Sequence, residues 1–319
     1  MSRKVYASRQ LPKRVMEEFS RICEYDVNPE NRQATREELI NGVKNYAVLV
    51  SMLNDQIDAD LIAQAGPDLK LIANYGVGFN NIDVKAANAR GIYVTNTPDV
   101  LTDATADLAW SLLFGAARRV VEGDNICRKS TFSWAPEYML GYDITGKTLG
   151  VIGAGRIGYN FARKAALGFN MKVIYHNRHS SPLMEELGAK LVTLDDLLHD
   201  SDYISLHVPL TPETRHMLGA AEFAKMKRTA ILVNTARGPV IDESALADAL
   251  KNHVIAAAGL DVYEKEPEIF PELKTLANVV LMPHVGSATF DTRTNMGLMI
   301  ARNIEAVLAG NTPPNVVRV

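Results

Sequence analysis

Short apolar runs alternate with helical patterns along the first 98 residues of the chain. Five strands are predicted by the apolar runs KVYAS, CEYDV, YAVLVS, LKLIANY and IYVTN. Four helices are predicted between them by the patterns PKRVMEEFSRI, TREELINGV, DADLIAQAG and VKAANARG. Strict alternation of this kind indicates a parallel sheet with helices on both faces. This part of the chain is therefore predicted to be an α/β domain.

A long helix is predicted from Thr102, after a break at residues 97–99. Its N-cap is Thr102 or Asp103, and the pattern LAWSLLFGAARRVVEG follows. Residues 130–143 then show no period. They carry the aromatic residues Phe132, Trp134, Tyr138 and Tyr142. Exposed aromatic side chains in a long loop indicate a partner surface, and packing against the parent domain is the alternative.

A second alternation begins at Lys147, and its strands are continuously apolar, as in a sheet covered on both faces. Six strands are predicted by the runs TLGVIG, MKVIYHN, YISLHVP, AILVNTA, AAAGLDVY and NVVLMPH. The segment SALADALKN predicts a helix between two of them, and a last helix is predicted over residues 289–309, with Gly310 as its C-cap. Six parallel strands are the number in a complete dinucleotide-binding sheet, so this part predicts a Rossmann-type domain.

The first of these strands leads into the glycine turn of residues 153–158, GAGRIG. A G-x-G-x-x-G turn between a strand and a helix is a dinucleotide fingerprint. Gly153 permits the tight turn, Gly155 leaves room for a pyrophosphate, and Gly158 lets the helix pack close to the strand. Free N–H groups at the helix N-terminus attract the phosphates. We predict a nucleotide site here, with a structural turn as the alternative.

Composition excludes several classes of partner. With 319 residues, 47% of them hydrophobic, the chain has enough apolar material for two cores. The net charge is −3, so the chain lacks the excess of positive charge expected of a protein that binds nucleic acid or an anionic membrane. Cys23 and Cys127 cannot form a disulfide framework and fit a reducing compartment. No apolar run has the length of a membrane span, and MSRKVYASRQLPK lacks the hydrophobic region of a secretory signal. We expect a cytoplasmic protein.

Charged side chains follow three strands of the second half. Arg237 comes after AILVNTA, Glu266 after GLDVY, and His284 after VVLMP. Because the carboxyl ends of parallel strands meet at one edge, where ligands bind, we expect the three to share a site. Each alone also fits a surface or loop residue. Asp103 and Asp107 remain candidates for other roles.

These residue types suit the reduction of a 2-oxo acid. Arriving hydride places negative charge on the carbonyl oxygen, and a cationic histidine can donate a proton there. A carboxylate beside an imidazole favours its charged form and fixes its orientation. An arginine offers forked donors to a carboxylate or carbonyl oxygen. We predict no metal site.

A series of motifs follows in order along the chain: NYGVGFNNID, NTPDVLTDATADL, GVIGAGRIG, HVPLTPETRHMLG, LVNTARGPVIDESAL, GLDVYEKEP and PHVGSAT. In this combination the chain resembles the D-isomer-specific 2-hydroxyacid dehydrogenases, and within that family it is most similar to glyoxylate/hydroxypyruvate reductases. The resemblance covers nearly the whole chain. It implies a homodimer with two domains. These are a flavodoxin-like substrate domain of residues 1–98 and 288–319, and a Rossmann-type domain of residues 99–287.

The resemblance also implies roles for particular residues. Arg237 would orient the substrate, His284 would act as acid/base, and Glu266 would be the partner of the histidine. The substrate would contact the backbone of Val77 and Gly78, with Leu53 nearby, and Trp134 would reach the site of a partner subunit. The implied cofactor-binding residues are Gly153, Ala154, Gly155, Arg156, Ile157, Gly158, His176, Asn177, Arg178, Val208, Pro209, Thr235, Ala236, Arg237, Asp261, His284 and Gly286.

The end of the strand MKVIYHN bears on the choice of cofactor. An NAD fingerprint has Asp or Glu about 20 residues after its glycines, to bond the ribose hydroxyls. His176, Asn177, Arg178 and His179 stand there instead. A carboxylate would repel a 2′-phosphate, whereas Asn177 and Arg178 can bind one. We predict NADP(H) as the preferred cofactor, and NAD(H), with Arg178 stacked on adenine, as the alternative.

Together these features predict an NADPH-preferring reductase of small 2-oxo acids such as glyoxylate and hydroxypyruvate. One alternative is an NAD-dependent D-2-hydroxyacid dehydrogenase with another substrate. Phosphoglycerate dehydrogenase is disfavoured by the missing ribose-binding acid, and formate dehydrogenase by the acid/base histidine. The alternative of another class is a nucleotide-sensing binding protein like the corepressors that resemble this family.

Overall fold

The computed structural model describes residues 4–318, which form two compact units. The first unit runs up to Leu101 and resumes at Ser287, and the second comprises Thr102–Gly286. Residues 1–3 and 319, which the sequence analysis assigns to the substrate domain, lie outside the described residues. Within residues 4–318, no helix combines the length and apolar character needed to cross a membrane.

The first unit contains a five-stranded parallel sheet. Its strands are β1 (Lys4–Ala7), β2 (Glu24–Val27), β3 (Val48–Ser51), β4 (Leu71–Asn74) and β5 (Tyr93–Thr95). Their order, β2-β1-β3-β4-β5, is the flavodoxin-like order. The helices between them are α1 (Lys13–Ile22), α2 (Arg36–Asn45), α3 (Ala59–Ala63) and α4 (Val84–Ala89). The α/β class and every predicted strand and helix of this part are confirmed.

The second unit contains a seven-stranded parallel sheet. Its strands are β6 (Thr148–Ile152), β7 (Lys172–His176), β8 (Lys190–Leu191), β9 (Tyr203–Leu206), β10 (Ile231–Asn234), β11 (Ala257–Leu260) and β12 (Val279–Leu281). The order is β12-β11-β10-β9-β6-β7-β8. Counted from β6, this is the doubly wound order 3-2-1-4-5-6 with one strand added beyond the sixth. The Rossmann-type fold is confirmed. The predicted count of six is corrected to seven, because the edge strand β8 has only two residues, both exposed.

Helices connect these strands and precede them. They are α5 (Thr102–Ala117), α6 (Val120–Arg128), α7 (Arg156–Phe169), α8 (Pro182–Glu186), α9 (Leu194–Asp200), α10 (Ala220–Phe223) and α11 (Glu243–Lys251). The single long helix predicted from Thr102 is wrong, because α5 and α6 are separate. Arg119 lies between them with a φ of 53°, a left-handed conformation that ends α5. Its side chain then binds both carboxylate oxygens of Glu122.

Buried apolar side chains cover both faces of the second sheet. Ile152 belongs to one cluster, together with Leu206 and Leu232. Its neighbour Val151 belongs to another, together with the buried Trp110 of α5. Because successive side chains of a strand point to opposite faces, the two clusters lie on opposite sides of the sheet. This explains why its strands read as continuous apolar runs.

The last helix, α12 (Phe290–Leu308), belongs to the first unit. The hydroxyl of Thr289 caps it, and it ends just before Gly310, whose φ is 81°. It packs tightly on α1, since a Cβ at Gly297 would lie 2.4 Å from Val15 Cγ2. The tail that follows pairs through Val316 with Thr95 of β5.

Candidate active site

Three glycines shape the turn between β6 and α7. Gly153 has a φ of 98°, which residues with a Cβ rarely adopt. A Cβ at Gly158 would lie 2.1 Å from the carbonyl oxygen of Gly153, so helix and turn are in direct contact. A Cβ at Gly155 would meet nothing within 4 Å, so the space before the N-terminus of α7 is open. Open space beside unpaired helix N–H groups fits the diphosphate of a dinucleotide.

A partly buried histidine supports the turn from behind. Nε2 of His207 lies 2.9 Å from Oγ of Ser205, and a Cβ at Gly153 would come within 2.8 Å of the His207 carbonyl oxygen. Burial lowers the pKa of His207 to about 3, so the imidazole is neutral near pH 7. The sequence predicts no role for this residue. A neutral ring packed behind the turn supports its shape and is not placed for acid–base work.

The end of β7 carries the predicted 2′-phosphate residues. Nδ1 of His176 donates to the Val192 carbonyl oxygen at 3.2 Å, and Nδ2 of Asn177 donates to the His179 carbonyl oxygen at 2.9 Å. Arg178 is exposed. Both neighbouring side chains are therefore held by the protein itself, and Arg178 presents a guanidinium to solvent.

A glutamate interacts electrostatically with this arginine. The hydrogen bond from Thr211 lowers the pKa of Glu213, and the positive charge of Arg178 adds to that shift. Glu213 belongs to the loop after β9, in which Oγ1 of Thr214 also donates to the Pro209 carbonyl oxygen at 2.7 Å. The arginine proposed for a 2′-phosphate thus interacts with the negative charge of Glu213.

The turn after β10 is built by an asparagine that the sequence analysis missed. The side chain of the buried Asn234 accepts the Ala236 N–H at 2.9 Å and donates to the Arg237 carbonyl oxygen at 3.0 Å. Oγ1 of Thr235 is buried and has no hydrogen-bond partner in residues 4–318. A buried, unpaired hydroxyl is costly, and a bound polar ligand would satisfy it. This suits the predicted place of Thr235 in a cofactor site.

His284 and Glu266 form a hydrogen-bonded pair. Nδ1 of His284 lies 2.6 Å from Oε2 of Glu266, and Oε1 of the same carboxylate accepts the Tyr263 N–H at 3.0 Å. Burial raises the pKa of Glu266, but the bond and charge of His284 outweigh it, so the net shift is downward. The carboxylate is therefore ionised and accepts, so Nδ1 carries the proton. This leaves Nε2 as the ring atom that can exchange a proton with a ligand.

Arg237 interacts electrostatically with the Glu266 carboxylate of this pair. Its Nη1 donates to the Ala236 carbonyl oxygen at 2.5 Å. Burial lowers the pKa of Arg237, and the negative charge of Glu266 partly offsets this. Arg237 and Glu266 each contribute to the other's shift, so their charged groups interact electrostatically. The structure thus brings together the three residues predicted at strand ends.

Asp261 fixes the loop that carries the histidine. Its carboxylate accepts the N–H groups of Val285 and Gly286, both at 2.8 Å, and its carbonyl oxygen accepts the His284 N–H at 2.9 Å. Asp261 is buried, and burial raises its pKa. His284 has a φ of 54°, and these three bonds hold the backbone in that uncommon conformation.

The first unit contains the predicted substrate residues Leu53, Val77 and Gly78. The carbonyl oxygens of Val77 and Gly78 accept bonds from the side-chain amides of Asn96, at 2.7 Å, and Asn74, at 2.6 Å. Among residues 4–318, the N–H groups of Val77 and Gly78 donate no backbone–backbone hydrogen bond. Two neighbouring N–H groups held open by pinned carbonyls can bind a carboxylate.

Leu53 lies on a loop whose backbone is held by hydrogen bonds on both sides of it. Its side chain packs over Gly76, where a Cβ would lie 2.3 Å from Leu53 Cδ2. The amide of Asn81 donates to the carbonyl oxygens of Met52 and Asp55, each at 3.0 Å. The buried carboxylate of Asp55 accepts the Met52 N–H at 2.8 Å. Contacts on both sides of Leu53 therefore fix its position.

Trp134 lies in the second unit, and 84% of its surface is exposed. Residues 130–135, which include it, contain no helix or strand. The preceding helix α6 has no buried residue among those described. Other large apolar side chains exposed in this region are Val120, Val121, Phe132, Tyr138, Leu140 and Tyr142. Seven large apolar side chains are thus exposed between residues 120 and 142.

The chain is similar to known proteins along its whole length. Residues 110–286 match the family described as "D-isomer specific 2-hydroxyacid dehydrogenase, NAD binding domain". A glyoxylate reductase from Thermococcus kodakarensis is 49% identical over 323 residues, which cover 99% of this chain and 96% of that protein.

Two solved structures share the fold. The glyoxylate reductase from Paecilomyes thermophila is 35% identical with a TM-score of 0.88, covering 99% of this chain and 98% of that one. An NADPH-dependent glyoxylate/hydroxypyruvate reductase from Sinorhizobium meliloti, in complex with NADP and malonate, is 31% identical with a TM-score of 0.87, covering 98% and 96%.

Proposed function

The chain belongs to the D-isomer-specific 2-hydroxyacid dehydrogenases, oxidoreductases that use a nicotinamide dinucleotide, and we propose that it reduces glyoxylate and hydroxypyruvate with NADPH as the preferred hydride donor. The observation that carries this proposal is the His284–Glu266 pair beside Arg237. The names of the reductases at 49% and 31% identity support the substrate class. We also propose the cytoplasm as its compartment, because Cys23 and Cys127 are both free thiols.

Each residue of the site has a proposed task in the reaction. The bound cofactor supplies a hydride to the 2-oxo carbon. Nε2 of His284 donates a proton to the carbonyl oxygen, while Glu266 holds Nδ1 and stabilises the positive imidazolium before transfer. Arg237 orients the substrate through forked donors. The N–H groups of Val77 and Gly78 bind the substrate carboxylate, and Leu53 packs near it.

The cofactor would be held by the glycine turn and by the strand ends around it. The N–H groups at the start of α7 suit the diphosphate, and the open space at Gly155 admits it. The hydroxyl of Thr235 gains a partner when a polar ligand binds. The remaining predicted cofactor residues would complete this proposed site.

Turnover by the purified protein tests this function directly. Nicotinamide absorbance is followed with glyoxylate and with hydroxypyruvate, each with NADPH and with NADH. We expect faster oxidation of NADPH than of NADH with either acid. No turnover with any of the four pairs would contradict the proposed reaction, whereas faster NADH oxidation would contradict only the cofactor preference.

Arg178 is the basis of the proposed preference for NADPH. We predict that Arg178→Ala raises the KM for NADPH about tenfold, the effect of losing one charge-assisted hydrogen bond, and leaves the KM for NADH nearly unchanged. Steady-state kinetics with each cofactor at saturating glyoxylate measures the difference. An equal rise for both cofactors would mean that Arg178 stacks on the adenine.

A substitution of Glu213 is the matched control, because the expected change in the KM for NADPH has the opposite sign. Its carboxylate lies close enough to Arg178 for the two charges to interact. Glu213→Gln removes the negative charge there and should lower the KM for NADPH without changing that for NADH. A lower KM for both cofactors would mean that Glu213 does not act through the 2′-phosphate.

The exposed apolar region of α6 and residues 130–142 is proposed to bind a second copy of the chain. We predict that the wild-type protein sediments as a dimer. Trp134→Ala should raise the dimer dissociation constant about 30-fold, the effect of roughly 2 kcal/mol at an interface hot spot. Phe290→Ala, which removes an aromatic ring that is 95% exposed in the first unit, is the control and should not affect it. A wild-type monomer at micromolar concentration would contradict the proposal.

A further inference from the structure

Two glutamates bind each other's backbone beside the proposed catalytic pair. Oε1 of Glu243 accepts the Glu264 N–H at 2.7 Å, and Oε1 of Glu264 accepts the Glu243 N–H at 3.1 Å. The second oxygen of Glu264 lies 3.0 Å from Nε2 of His216. Glu243 is the first residue of α11 and is buried. The proposed reaction assigns no task to this pair.

The reciprocal bonds join the two chain segments that carry the catalytic side chains. Glu264 lies two residues before Glu266. Glu243 begins the helix that follows the turn of Gly238–Val240, directly after Arg237. The two segments touch, since a Cβ at Gly238 would lie 1.9 Å from the backbone carbon of Tyr263. The distance between Arg237 and Glu266 therefore depends on the hydrogen bonds and contacts that hold these two segments together.

Burying a carboxylate at this position has a net electrostatic cost, which its neighbours offset only in part. Burial raises the pKa of Glu243, and the negative charges of Glu264 and Glu266 raise it further. The hydrogen bond from the Glu264 N–H and the charge of Lys265 lower it, but the net shift is upward. An apolar side chain would avoid that cost. The carboxylate accepts a hydrogen bond from the Glu264 N–H, which an apolar side chain cannot do.

From this geometry we propose that Glu243 is a positioning residue, which, through its reciprocal bonds with Glu264, sets Glu266 and His284 relative to Arg237. The proposal rests on the function proposed above. It attributes the role of Glu243 to its reach and its acceptor oxygen, and not to its charge.

Two variants separate reach from charge. Glu243→Gln keeps the length and an acceptor oxygen but removes the charge, whereas Glu243→Asp keeps the charge but withdraws the acceptor by one methylene. We expect kcat for glyoxylate to fall about 10- to 100-fold in Glu243→Asp, through misplacement of the site, and to change less than twofold in Glu243→Gln. The dissociation constant for NADPH, measured by fluorescence, should stay unchanged in both.

A second readout does not require turnover. The proton between His284 Nδ1 and Glu266 gives a low-field NMR resonance, assigned by its loss in His284→Ala. We expect it in the wild type and in Glu243→Gln, and we expect it to be weakened or shifted in Glu243→Asp. If the wild type shows the resonance but turns over no 2-oxo acid, the proposed function fails while the positioning role is still measured.

Glu222 offers the matched control. Its carboxylate accepts the Gly219 N–H at 3.1 Å at the start of α10, which is the same kind of bond in a segment that carries none of the three site residues. Glu222→Asp should leave both kcat and the resonance unchanged. A wild-type kcat and resonance in Glu243→Asp, or equal losses in Glu243→Asp and Glu243→Gln, would overturn the proposal.

Discussion

Replacing His284 with alanine is expected to lower kcat for glyoxylate reduction by about 10²- to 10⁴-fold, the usual contribution of a positioned general acid. The reason is that Nε2 of His284 is the ring atom left to donate a proton when Nδ1 is held by Glu266. The dissociation constant for NADPH should change little. Stopped-flow absorbance and equilibrium fluorescence measure the two effects separately.

His199 is a suitable control for that substitution. Its Nδ1 lies 2.9 Å from the carboxylate of Asp200, so it has the same kind of pairing on the exposed surface of α9. His199→Ala should leave kcat unchanged. Turnover near the wild-type rate in His284→Ala would remove His284 from the proposed mechanism.

The second large effect is expected at Gly155. A Cβ there meets no protein atom within 4 Å but enters the open space before α7, where the diphosphate is proposed to bind. We predict that Gly155→Ala weakens both NADPH and NADH about 100-fold, since the extra carbon blocks backbone approach to the phosphates. The free energy of unfolding should change by less than about 1 kcal/mol. The reason is that the loss of a good N-cap residue and the reduced freedom of the unfolded chain offset each other.

Gly168 lies on the same helix and is the matched control. A Cβ at this position also meets nothing within 4 Å, but Gly168 stands near the far end of α7. Gly168→Ala should raise the thermal midpoint, as expected for Gly to Ala inside a helix, and leave both affinities unchanged. If Gly155→Ala bound both cofactors normally, the diphosphate would have to lie elsewhere.

The fold was largely predictable because parallel strands covered on both faces leave an uninterrupted apolar signal. The errors lie where that signal is absent. Lys190 and Leu191 of β8 are both exposed, and their pairing with β7 makes them a strand. The break at Arg119 has no Gly or Pro to mark it. The left-handed residue is held by its bonds to Glu122 and to the Leu140 carbonyl oxygen, 21 residues away.

The site was predictable where topology alone decides which residues meet. Arg237, Glu266 and His284 follow strands of one parallel sheet, so their proximity follows from the strand order, and their roles remain predictions. The bracing roles of Asn234 and Asp261 were not predictable. Asn234 shapes a turn, and Asp261 reaches N–H groups more than 20 residues away, so each depends on side-chain directions that no local pattern encodes.

The division of the first unit into two chain segments has a consequence for biosynthesis. Tyr75 donates from its hydroxyl to the carbonyl oxygen of Arg293 in α12, across 218 residues of sequence. Gly297 of the same helix packs against Val15. During translation, the first strands to emerge must therefore wait for nearly the whole chain before their unit is complete. The continuous unit of Thr102–Gly286 has all its residues earlier, so completion does not follow the usual order from the N-terminus onward.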